Sequence, residues 1–189
     1  MPNHITNRIE FSGKQENIDK ILALIEGDNE CIDFETIIPM PDYIFTGDLG
    51  PNERAKYGSN NWYDWRIANW GTKWNAYDAN IDKINNVIEF DTAWSCPLGV
   101  FDKLAELCYE HNVSFTGKWA DEDTGYNVGV FESDCDRDEY WFSYEYIENC
   151  SDEAYEIYMD LKRSNCLGKD ENGNWVHYDC DNCPNASVC

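Results

Sequence analysis

The sequence predicts an α+β fold, an antiparallel sheet with two helices on one face. Three observations carry this. Short runs alternate apolar with polar residues, two longer stretches repeat apolar residues at helical spacing, and aromatics reach 15% of the 189 residues, ample material for a core.

The first strand falls over residues 5–12, where Ile5, Ile9 and Phe11 keep partly to period two before Gly13. A helix follows, with Ile18, Ile21, Leu22, Leu24 and Ile25 on one stripe and Gly27 at the C-cap position. Residues 32–39 return to strand composition and are stopped by Pro39 and Pro41. From 41 to 82 the chain is rich in Gly, Asn and aromatics, too long for an ordinary connection and too apolar for a floppy one. It reads as an insertion with its own packing, in which Trp62, Trp65 and Ile67 share a short helix before Gly71. Residues 86–94 alternate Val87, Glu89 and Asp91 with Ile88, Phe90 and Thr92, as a strand does. Pro97 opens a second helix, striped by Val100, Phe101, Leu104, Ala105, Leu107 and Cys108, and strands over 113–120 and 126–132 flank the turn 121–125.

Strand, helix, strand, strand, helix, strand is the split βαβ order of ferredoxin-like folds. Downstream, residues 139–147 carry Tyr140, Trp141, Phe142, Tyr144 and Tyr146, which extend the sheet or cover its edge. A helix over 151–164 starts at Ser151 with acids in its first turn, where they suit the helix dipole. The organisation is therefore a ferredoxin-like domain over 1–132 with its insertion at 41–82, an acidic strand-helix extension over 133–165, and a small Cys-rich tail over 166–189.

The net charge of −23 repels phosphate backbones and anionic headgroups, which excludes general nucleic-acid and membrane-surface binders. With no leader pattern at the start and no apolar run long enough to cross a bilayer, a cytoplasmic protein is expected. Acid density rises along the chain, to −14 over residues 121–189 against −9 over the first 120. Asp134, Asp136, Asp138 and Glu139 lie in this stretch and are the candidate binding residues. Their alternation is similar to a calcium loop with Glu145 at its twelfth position, but Glu139 stands where the sharp turn needs Gly, so a solvated acidic loop is the expectation.

Nine cysteines cannot all pair internally. Cys96 and Cys108 sit among apolar neighbours and read as small buried hydrophobes. Cys166, Cys180, Cys183 and Cys189 crowd a tail too poor in aliphatics to form a core. A hairpin closed by Asn172-Gly173-Asn174 would bring Cys166 beside the Cys180-x-x-Cys183 pair, giving the thiolate set that a structural zinc ion favours, with His177 as a competing ligand. Disulfides and free thiols are the alternatives.

The opening Met1-Pro2-Asn3-His4, the run Asn69-Trp70-Gly71-Thr72-Lys73-Trp74-Asn75, and Phe90-Asp91-Thr92-Ala93-Trp94 with Pro97 and then Trp119-Ala120-Asp121-Glu122 resemble the YubB-type ferredoxin-like proteins carried by phages and plasmids. The resemblance spans about residues 1–132. It implies a ferredoxin-like fold and a mobile-element setting and brings no catalytic residues; the acidic, Cys-rich tail departs from it.

No catalytic residue is assigned. The three histidines, His4, His111 and His177, neighbour no nucleophile in sequence, and no phosphate-cradling glycine loop occurs. Trp70, Trp74 and Trp94 read as a buried aromatic hub that fastens the insertion to the sheet, in preference to a stacking platform. The function expected is that of a mobile-element accessory protein that binds a host protein with a basic surface, an acidic inhibitor or decoy of a defence or nucleic-acid-handling factor. A small hydrolase or nucleotide-modifying enzyme with its site around Trp70, Lys73 and Asp91, and a zinc-organised docking module, are the alternatives.

Overall fold

The computed structural model describes residues 3–27, 31–163 and 166–177. Strand β1 (His4–Gly13) turns Ile5, Ile9 and Phe11 to one face and Arg8 and Glu10 to the other. Helix α1 (Gln15–Ile25) buries Ile18, Ile21, Leu22 and Ile25 against the first of these faces. The strand expected over 32–39 is instead a short helix, α2 (Phe34–Ile37). Asp33 decides this: its Oδ1 accepts the Glu35 N–H at 2.8 Å, a helix cap that a run of β-branched residues alone does not disclose.

Helices α3 (Pro51–Tyr57) and α4 (Trp62–Asn69) follow, α4 starting where Asn61 Oδ1 accepts the N–H groups of Tyr63 and Asp64 and stopping before Gly71 at φ +84°. Strand β2 (Tyr77–Asp82) lies inside the stretch read as insertion. It pairs with β3 (Val87–Ala93), so β2 supplies the strand expected at 32–39. Helix α5 (Leu98–Glu110) and strands β4 (Val113–Ala120), β5 (Gly129–Ser133) and β6 (Phe142–Tyr146) complete the sheet. Its order is β2-β3-β1-β4-β5-β6, every neighbour antiparallel. The first four strands keep the ferredoxin-like arrangement, and β5 and β6 extend it beyond β4.

Helices α1 and α5 cover one face, around a core that includes Phe34, Trp70, Phe90, Phe101, Phe115, Trp119 and Phe131. Cys96 and Cys108 are buried there, and burial pushes both thiols well above their ordinary range. Helix α6 (Asp152–Lys162), capped by Ser151, lies on the opposite face, where Ala154 and Leu161 meet Ala120, Val128 and Ile147 in a second small core. A hairpin of β7 (Leu167–Lys169) and β8 (Trp175–His177) returns to α6 through Asp152, which accepts from Lys169 and from the Trp175 indole.

Candidate functional site

The outer face of the sheet, away from α1 and α5, is polar by strand alternation: Thr6, Arg8 and Glu10 on β1, Glu89 and Asp91 on β3, Thr116 and Lys118 on β4, and Glu132 on β5. Four of the fourteen basic residues gather here, Arg8 and Lys118 on the sheet and Lys162 and Arg163 at the end of α6. Asp160 bonds Arg8 and Lys118, each at 2.6 Å, and Glu89 bonds Arg8 at 2.9 Å and Arg163 at 3.2 Å. Lys162 donates to the His4 carbonyl and to Thr6 Oγ1, whose own hydroxyl donates to Asp91 at 2.7 Å. The cations of this face are thus largely engaged.

Burial works to raise the Asp160 carboxyl, but Lys118 and Arg8 outweigh it and hold the group below the usual aspartate range. Its ionised form therefore stabilises the docking of α6 at any pH above the ordinary aspartate value of about 3.9, and that contribution is lost as pH falls through the lower folded-state value. Asp160→Asn should cost about 1 kcal/mol in urea unfolding at neutral pH, with the difference from the natural chain closing under acid. A gap that stays constant with pH contradicts the assignment.

Beside α6 the described residues leave a groove on the outer face. It has a volume of about 390 Å³ and runs over β1, β4, β5 and β6, lined by Glu10, Thr116, Lys118, Glu132, Ser143 and Glu145. Three carboxylates thus face one ammonium, and that ammonium is already paired with Asp160. The groove ends at β6, the last strand of the sheet, where Tyr144 is 51% and Tyr146 58% exposed on the opposite side.

The acidic loop between β5 and β6 borders one end of this strand. Asp134 accepts the Asp136 N–H at 2.9 Å and pairs with Arg137 at 3.3 Å; Arg137 covers the Trp141 ring at 3.8 Å, and the Asp138 carbonyl accepts the Tyr109 hydroxyl. Asp136, Asp138 and Glu139 point to solvent. Among the described residues no three His, Cys, Asp or Glu side chains stand together in a way that could hold a metal ion.

Trp70 is fully buried, its ring 5.6 Å from Phe34 and 5.8 Å from Trp65, its indole N–H donating to the Ile38 carbonyl at 3.0 Å. Trp74 and Trp94, expected with it as a buried hub, stand instead at the surface, 36% and 43% exposed, with Lys73 Nζ within 5 Å of both rings. Trp94 sits at φ +71°, a conformation that turns its side chain out of the strand alternation. The groups expected to surround an enzymatic site do not meet: Trp70 is in the core, Asp91 lines a cleft beside Lys162 and Arg163, and Lys73 lies between the two indoles.

In the tail, Asp170 and the Asn172-Gly173-Asn174 turn close the β7–β8 hairpin as expected, with Leu167, next to half-buried Cys166, opposite His177. Cys180, Cys183, Cys189 and the side chain of His177 lie outside the described residues.

Residue reading along the chain missed the outer-face groove and the β6 edge. The available signal was the alternation of Arg8 and Glu10 with Ile9 and Phe11, and of Ser143 and Glu145 with three aromatics, which marks a strand polar on one side only.

Fold and surface together define a ferredoxin-like α+β protein with an extended sheet and an acidic outer face. Residues 73–161, from just before β2 into the last turn of α6, match the family model described as a ferredoxin-like domain in Api92-like protein. No match to the chain is found among curated proteins or among solved structures. Among the described residues no helix is long and apolar enough to cross a membrane.

Proposed function

We propose that the chain is a binding protein, a phage- or plasmid-borne accessory factor of the YubB type, whose acidic surface engages a host protein with a basic surface in the cytoplasm. The observation that carries this reading is the open groove beside β6, where Glu10, Glu132 and Glu145 line the floor and the one lining cation is paired to α6. A dense anionic field speeds encounter with a cationic surface and disfavours nucleic acid and anionic lipid. A defence or nucleic-acid-handling factor is the partner of fitting chemistry, since its phosphate-binding groove presents the complementary charge. The resemblance over residues 1–132 supports the mobile-element setting.

Immobilised full-length chain should retain a basic host protein from lysate at low salt and release it at high salt, and a variant carrying Glu10→Gln, Glu132→Gln and Glu145→Gln should retain several-fold less. Failure to hold any basic protein at low salt would overturn the reading.

A further inference from the structure

We infer that β6 is a docking strand: an extended, basic segment of a partner protein adds to the sheet beyond β6, with its main chain on the edge that no described strand covers and its cationic side chains over the acid-lined groove. This rests on the acidic-binding reading and gives it a location and a binding mode.

The backbone points the edge outward. The Ile147 N–H donates to the Val128 carbonyl at 2.9 Å, so 147 and 128 form a hydrogen-bonded pair. In an antiparallel ladder such pairs alternate, which directs the backbone groups of Ser143 and Glu145 to β5 and those of Phe142, Tyr144 and Tyr146 away from it. A free edge of this kind is a template for another strand, and proteins commonly blunt it with a bulge, a Pro, a Lys or a covering element. The two edges of this sheet differ in that respect. At β2 the register breaks between Tyr77 and Asn80, and Asp78 is held at φ +48°. At β6 five pairs run in unbroken register, and Phe-Ser-Tyr-Glu-Tyr contains neither Pro nor Lys.

Charge selects the occupant. Glu145 stands on the groove side beside Glu132, exposed Asp136, Asp138 and Glu139 lie before the strand, and exposed Glu148 follows it. A second copy of this chain on the same edge would set these carboxylates against their own kind, whereas a strand with Lys or Arg at alternate positions sets one charge beside Glu145 and lets the next reach over Ser143 toward Glu132, its partner on β5. Its intervening side chains would lie over Tyr144 and Tyr146, whose rings stand 6.2 Å apart on the other side. Main-chain bonds of this kind supply affinity, and the alternating side-chain sites supply specificity.

The test titrates full-length chain with a short peptide of alternating Lys and Thr, with the same peptide N-methylated along one edge so that charge is kept and ladder bonds are lost, and with a Glu-Thr peptide. Amide hydrogen exchange is the readout. The expected result is about tenfold slower exchange at the Tyr144 and Tyr146 amides with the Lys-Thr peptide alone. Equal, salt-sensitive binding of the plain and methylated peptides without that protection would overturn the docking strand while leaving the acidic-surface reading intact. Absence of binding by the Lys-Thr peptide would overturn the docking strand, as would protection of the same amides by self-association of the chain without any peptide; in both cases the lysate experiment decides the broader reading independently.

Discussion

Trp70→Ala should lower the free energy of unfolding by about 4 kcal/mol, the scale measured when a large aromatic is removed from a closed core. The indole is fully buried, meets Phe34 and Trp65 edge to face, and donates its N–H to Ile38. Alanine leaves a cavity lined by groups on α2 and α4 that the backbone cannot close, and strands the Ile38 carbonyl without its donor. Because Trp70 joins the segment between α1 and β2 to the main core, that segment should lose protection from hydrogen exchange before the sheet does. Urea unfolding with exchange mapping checks both; a loss under about 1 kcal/mol would show that the segment is held elsewhere.

Gly129→Val should cost about 3 kcal/mol through overpacking. A Cβ at Gly129 would stand 2.1 Å from Trp119 Cη2 and 2.5 Å from the Glu145 carbonyl oxygen. The Trp119 ring lies across β5 at this glycine, 6.3 Å from Phe131 and edge-on to Tyr146 at 5.1 Å. Relief requires moving either a fully buried indole or the β5–β6 pairing itself. The variant should therefore lose capture of the basic partner together with stability, since the same shift displaces β6. Thermal unfolding measures the first effect and retention at low salt the second; a stable Gly129→Val protein would contradict the packing described here.

Much of this architecture was legible along the chain. The stripes of α1 and α5, the alternation in β1, β3 and β4, and the Ser151 cap of α6 all express one-dimensional periods that burial enforces directly. Strand β2 was not legible, because Tyr-Asp-Ala-Asn-Ile-Asp is polar, poor in strand formers and interrupted at Asp78; its pairing with β3 overrides its propensity. The helix at Phe34–Ile37 was hidden for the opposite reason, a strand-like composition overruled by the Asp33 cap and by Asn75, which accepts the Phe34 N–H from 41 residues away. The placement of α6 on the outer face rests on pairs such as Arg8 with Asp160, 152 residues apart, which no local pattern reports. The binding surface was half legible. Acid density marked the region of 134–139, but the meeting of Glu10, Glu132 and Glu145 in one groove is a product of strand order, and the outward turn of Trp94 goes with a positive φ that composition does not reveal.

The central claim is that negative charge acts at one place, beside β6, and not as a diffuse property of the surface. Affinity for the Lys-Thr peptide, measured by calorimetry, compares Glu132→Lys with Glu145→Lys against an equal change of charge on α1, Glu16→Lys with Asp19→Lys. Reversal at the groove should weaken binding by about tenfold or more, while reversal on α1 should leave it within about a factor of two. Equal losses from the two pairs would contradict a localised site.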